Sequence, residues 1–435
     1  MTGRESAAAD VALKIDGLAP TRGVLDNGVT LLTKQTRTTP AVTIHASLAG
    51  GSAVDPAELS GVAHFVSRTI DRGTAQYSAD ALAEQLDSRG VSLSVLIGRH
   101  ALSLVCTCLV EDFEAILSLV GEILISPTFP ADEVERRRGE IVTLIRQDED
   151  SPAAVATDAL MAMLYGASHP YGRPIRGTIA HVDHIDRAAL QRFHQDHASP
   201  AALTLAIVGD VAPGEVLDAA AAAFGTWSAS AQPPASRPAI PANAARRTRT
   251  IPMMNKSQTD IAYGFTAIAR SDPAFYAHWL MNNILGQYSL GGRLGDSIRE
   301  RQGMAYYVSS SLDANLLEGP LMIRAGVNPS NVERAVASID AELTSLMKDG
   351  PTPQEVIESK QYLIGSMPRT LETNAGIASF LQTIERFGLG LDYDVRMPAL
   401  LQHVTGEEIH AAATRAVDPS RATVVVAGPY DGTLA

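Results

Sequence analysis

Cysteine is nearly missing from this chain, with two in 435 residues, Cys106 and Cys108. They stand two apart in the alternating run 102–109, so a strand puts both thiols on one face, a poor placement for an unstrained disulfide. A disulfide-stapled scaffold is therefore excluded, and without a C-x-x-C pair so is a cysteine-based structural zinc site. Both thiols read as small buried hydrophobes. Basic charge is also short: 35 Lys and Arg against 48 Asp and Glu give a net charge of -13. Phosphate binding needs clustered cations, so a nucleic-acid partner is not expected. No apolar run reaches the ~20 residues that span a bilayer. The first ten residues carry acidic side chains and lack the apolar stretch of a secretory signal. A cytoplasmic protein with no membrane partner is the expectation. What is present is ordinary core material, 46% hydrophobic and 19% charged, in a chain long enough for two or three domains.

The chain repeats itself. The strand-like run 42–48 has a counterpart in 259–265. The strand 102–109 with the amphipathic stretch 112–125 matches 321–327 with 332–347. Pro127-Thr128-Phe129-Pro130-Ala131-Asp132-Glu133-Val134 matches Pro351-Thr352-Pro353-Gln354-Glu355-Val356, and 202–209 matches 422–428. The two glutamates are 222 residues apart, and the closing glycines Gly209 and Gly428 are 219 apart. One long period seen once means two copies of one domain, not a solenoid. Between them, 229–247 carries Pro233, Pro234, Pro238 and Pro241 amid Ala and Ser, the composition of an extended linker. The expected organisation is an N-terminal domain 1–228, a linker 229–247 and a C-terminal domain 248–435. Each domain is α+β, a mainly antiparallel sheet packed with helices.

Residues 60–71 read as a helix. Val62, Phe65, Val66, Thr69 and Ile70 form an apolar stripe, and Ser60, His64, Ser67, Arg68 and Asp71 fall on the other face. Positions 64 and 68 lie one turn apart, the spacing at which two histidines can share a metal. The run Gly50-Gly51-Ser52 … Ser60-Gly61-Val62-Ala63-His64-Phe65 … Arg72-Gly73-Thr74 resembles the pitrilysin/insulinase family of zinc peptidases. That family carries H-x-x-E-H at this place. Here Ser67 holds the glutamate position and Arg68 the second histidine position. The resemblance places the third ligand, a glutamate in the family, at Leu144; Glu140, one turn away, is the available substitute. A serine cannot take a proton as a carboxylate does, and a permanently charged guanidinium sits where a cation would bind. His64 alone reads as a solvated or core-edge histidine. The pairs His181/His184 and His194/His197 offer no third ligand for a relocated site, so no metal is expected in this chain.

The second half keeps what the first has lost. The segment from Ser297 to Ser310 resembles the family's arginine/tyrosine run, with Arg299 and Tyr306 in the two named positions and Tyr307 the alternative if the register is off by one. The resemblance implies that an arginine fork holds a substrate carbonyl and a tyrosine hydroxyl donates to an oxyanion. It further implies that in small two-chain members this pair reaches the partner's zinc. Gly291 and Gly292 resemble the family's glycine-bearing loop, which would guide a peptide in. The run 90–96 falls where family enzymes offer an edge strand to substrate, with Ser94 where asparagine is usual. The implied architecture is half of a clam-shell closed by a second similar chain. The expected function is a zinc-less subunit contributing Arg299 and Tyr306 to a homologous partner with an intact H-x-x-E-H and its own zinc, acting on unfolded peptides. The alternatives are a structural or peptide-binding homologue similar to respiratory-complex core subunits, and a peptidase with an unrecognised metal site.

Overall fold

The computed structural model describes residues 17–229, 238–241, 244–287 and 291–432. The first ten residues, Pro233 and Pro234 of the expected linker, and Tyr288, Ser289 and Leu290 beside the glycine loop lie outside the described residues. Eleven strands among these residues make two sheets. The first contains β1 (Thr21–Val24), β2 (Thr30–Gln35), β3 (Ala41–Ala49), β4 (Ser94–Ile97), β5 (Ala101–Leu109) and β6 (Leu203–Gly209), in the order β1-β2-β6-β3-β5-β4. The second contains β7 (Arg247–Pro252), β8 (Thr259–Thr266), β9 (Ala305–Leu312), β10 (Pro320–Val327) and β11 (Thr423–Gly428), in the order β7-β11-β8-β10-β9.

The duplication is visible in the pairing. Each sheet has one parallel pair, β2 with β6 and β7 with β11, and is otherwise antiparallel. Gly209 lies opposite Val42 in the first sheet, and Gly428 closes β11 beside the start of β8 in the second. The fold is α+β with two mainly antiparallel sheets, as the alternating runs predict. Cys106 and Cys108 are buried free thiols on β5, and burial pushes them up to about 12 and about 11.

The halves are less self-contained than the sequence pattern predicts. The helix Pro152–Tyr165, from the first half, packs Ala156, Leu160, Met161 and Leu164 on Ala262, Met322, Val425 and Ala427 of the second sheet. Its counterpart 222 residues on, Asn374–Arg386, lies on the first sheet. There Gln382, 5% exposed, donates to His45 O at 2.7 Å and Thr204 O at 2.9 Å. Thr36 Oγ1 donates to Asn374 Oδ1 at 2.9 Å, and Arg22 pairs with Glu385. An apolar stripe specifies that a helix must be covered but not by which sheet, so this exchange has no signature in periodicity. It ties the two domains into one packed body. Gln382→Ala strands two buried carbonyls and is expected to cost about 1–3 kcal/mol in urea unfolding. The linker is also shorter than its composition suggests, since Arg247 opens β7 and Arg246 pairs with Asp340 at 2.9 Å.

Candidate functional site

The helix Val62–Thr69 begins at Gly61, which has φ 97°. A Cβ there would lie 2.5 Å from Arg176 O, so glycine is required both by conformation and by the close approach of the 174–178 loop. The Asp55 carboxylate accepts from Gly61 N at 2.7 Å and Ala63 N at 3.1 Å, capping two of the free amides at the helix start. Burial raises Asp55 to about 7 against the opposing pull of those two bonds. Periodicity missed this residue because it reaches the helix from seven positions upstream.

His64 is 8% exposed, and among the described residues neither ring nitrogen has a hydrogen-bond partner. It lies at the edge of the core, not in solvent. Its ring borders a cavity of about 710 Å³ whose walls include Ile97, Asp148, Met161, Arg176, Arg249 and Ile251. Burial first, then the nearby Arg176 and Arg68 guanidinium groups, push the imidazole down to about 4. An imidazole held neutral in the folded state binds fewer protons than in the unfolded chain, so its contribution is lost as pH falls from 6.5 toward 4. His64→Leu is expected to keep the melting temperature at pH 7.5 and to lose less of it than the wild type at pH 5, by circular dichroism. A larger loss in the variant would contradict the assignment of an unpartnered neutral ring.

The other positions of the motif do not converge on a cation. Ser67 turns its hydroxyl back to His64 O at 2.6 Å. Arg68 reaches Glu140 at 3.4 Å, across to the helix Ala131–Glu149. Glu140 is engaged more closely by Arg137, at 2.6 Å, and that bond lowers its pKa. Leu144 shares a surface recess with Arg68 and Glu140. Zinc takes at least three protein ligands in a catalytic site. One free imidazole, a guanidinium, a leucine and a carboxylate already held by two arginines do not fit that ion. Among the described residues no three His, Cys, Asp or Glu side chains group as a metal site. In the other histidine pairs, His194 donates to Leu124 O, His184 donates to Ala180 O, and His181 bonds the Thr178 hydroxyl.

Arg299 and Tyr306 flank one turn. The helix Gly295–Arg301 ends where Gly303 N donates to Arg299 O, and the chain reverses into β9. Arg299 is partly exposed, with Glu300 as a loose neighbour at 3.7 Å. Tyr306 is 63% exposed on β9, the edge strand of the second sheet. Tyr307, the alternative by one residue, donates its hydroxyl to Asp260 and is half-buried. The first sheet also ends on an open edge, β4. Ser94 is its first residue and exposed, while 90–93 precede the strand. Gly291 is exposed, but Gly292 is buried with its backbone against Gly286. That close contact gives Gly292 a packing role.

The structure thus gathers His64, Ser67, Arg68 and Leu144 at one helix pair, and Arg299 with Tyr306 at another place. The cavity beside His64 takes its second-domain wall from β7, at the opposite sheet edge from β9. Four strand spacings separate those edges, about 19 Å.

Comparison with known proteins matches residues 30–179 to the family described as insulinase (peptidase family M16) and residues 184–363 to the peptidase M16 inactive domain. An uncharacterized zinc protease of Mycobacterium tuberculosis is 27% identical over 424 residues, covering 95% of this chain and 94% of its own. The crystal structure of a peptidase M16 inactive domain from Pseudomonas fluorescens superposes with a TM-score of 0.88 at 26% identity, over 96% of this chain and 100% of that one. A protease from Helicobacter pylori shares the fold, with a TM-score of 0.86 at 17% identity over 94% and 99% of the two chains. The architecture is the two-domain one of half a clam-shell.

Proposed function

The chain belongs to the insulinase family, peptidase family M16, and on that premise we propose that it is the non-catalytic subunit of a two-chain peptidase. It pairs with a homologous subunit that carries an intact H-x-x-E-H motif and its own zinc, and the two close around an extended, unfolded peptide. Arg299 holds a backbone carbonyl of that peptide, and Tyr306 donates a hydrogen bond to the oxyanion that forms when the scissile carbonyl is attacked. Both act in trans. Action in the cytoplasm is part of the same proposal.

The observation that carries this reading is the ion pair of Arg68 with Glu140 beside an unpartnered His64, combined with an exposed Tyr306 on the far edge of the other sheet. The ligand end carries a salt bridge, and the exposed Tyr306 stands on the sheet edge opposite the one that walls the cavity beside His64, which supports action on another chain. The test is co-expression with a homologue that carries H-x-x-E-H. The two chains are expected to co-purify and cleave a quenched peptide, with neither doing so alone. Co-purification without any cleavage would instead support a scaffold.

A further inference from the structure

We propose that Tyr306 is aimed by a clamp spanning three strands, in which Tyr307, Gly326 and Asp260 hold a β-bulge that turns Tyr306 outward from the sheet edge. The proposal rests on the functional reading above for its consequence, but not for its geometry. Tyr307 pairs with Gly326 and Ala305 with Val327, so Tyr306 is the extra residue of β9 with no partner on β10. A bulge of this kind bends the strand and re-aims a side chain, and Tyr306 is 63% exposed.

The bulge is pinned by one cross-strand row. Gly326 faces Tyr307 on one side and Asp260 on the other. With no side chain on the middle strand, the Tyr307 ring crosses β10 and its hydroxyl donates to Asp260 Oδ1 on β8. A Cβ on Gly326 would lie 2.5 Å from Tyr307 Cε1, inside the ring's own space. Asp260 is 4% exposed and also accepts from Gln258 Nε2 at 3.2 Å, so its carboxylate is fixed from a second direction. Burial and Asp260 together push the Tyr307 hydroxyl up to about 12, which keeps it a donor at any working pH.

The other half of the duplication serves as an internal control. Register places Thr43 and Thr107 at the positions of Asp260 and Gly326, because Thr43 faces Val208 and Thr107 as Asp260 faces Ala427 and Gly326. Those two hydroxyls bond each other at 2.8 Å, leaving no room for a third side chain to cross. β4 begins at Ser94 opposite Val105, so no β4 residue pairs with Thr107, whose counterpart in the other half, Gly326, is the residue that Tyr307 faces. The clamp belongs only to the half that carries Arg299 and Tyr306.

Tyr307, Gly326 and Asp260 are positioning residues, and their effect must pass through Tyr306. In the two-chain complex, Tyr307→Phe is expected to lower kcat about tenfold with KM unchanged, since small misplacement of a reacting group is costly. In a Tyr306→Phe background the same change is expected to have no further effect. A purely structural role would give additive losses, and additivity or an undiminished kcat in Tyr307→Phe would overturn the proposal. Fluorine NMR of the free chain labelled with 3-fluorotyrosine separates this from the functional reading. The Tyr306 resonance, identified by its loss in Tyr306→Phe, is expected to move in both Tyr307→Phe and Gly326→Ala. An unmoved resonance sinks the clamp. A moved resonance with a silent Tyr306→Phe in the complex leaves the clamp standing and rejects the catalytic role of Tyr306.

Discussion

Tyr306→Phe, measured in the complex with a zinc-bearing homologue, is expected to lower kcat by about 10²–10³-fold with little change in KM. Removing one oxyanion donor has an effect of that size, because the interaction strengthens only as charge develops on the carbonyl oxygen. The phenyl ring keeps the packing, and at 63% exposure little core is disturbed. Arg299→Ala should behave differently. Its fork binds a carbonyl that is already present in the ground state, so a loss of about 10–100-fold in kcat/KM should fall mainly on KM. Size-exclusion chromatography should find both complexes intact. Unchanged kinetics in both variants would remove the arginine/tyrosine pair from the mechanism and leave the chain a scaffold.

The double variant Arg68→His, Leu144→Glu is expected to take up one zinc per chain, measured by plasma emission on protein from zinc-supplemented culture, where the wild type takes up none. His64 is already neutral and free of hydrogen bonds. The 62–69 helix keeps the one-turn spacing between 64 and 68, and Leu144 stands on the facing helix in the same recess as Arg68. Removing the guanidinium also ends its attraction for Glu140. Two new ligands then complete a set of three. A double variant that folds and stays zinc-free would mean that the two helices have shifted since the motif was lost, and that more than side-chain identity separates this chain from a metal site.

The sequence carried much of this fold because its landmarks are local. Thr352 opens a helix with a capping box closed by Glu355, and Pro130 and Glu133 mark the matching start 222 residues earlier, so the duplication could be read from end signals and alternation alone. The missing ligands at 67 and 68 were equally plain, since residue type decides them. Three features were not legible. The exchange of the 152–165 and 374–386 helices depends on which apolar face meets which sheet, and amphipathicity is silent on that. Asp55 caps a helix through a folded loop rather than from the adjoining position. The bulge at Tyr306 breaks the period of two by a single residue, which in the sequence Ala305-Tyr306-Tyr307-Val308 leaves two tyrosines equally placed. The register of β9 on β10 and the bond from Tyr307 to Asp260 separate them.

Action in trans is tested most directly by exchanging the pair between subunits. In the zinc-bearing partner, the residues that align with Arg299 and Tyr306 are replaced by alanine and phenylalanine, and peptide cleavage is measured with wild-type and Tyr306→Phe forms of this chain. The expected result is that the altered partner keeps its turnover with the wild-type chain and loses it, by about 10²-fold or more, with the Tyr306→Phe chain. Loss of turnover from the partner's replacement alone, with Tyr306→Phe silent, would contradict the account.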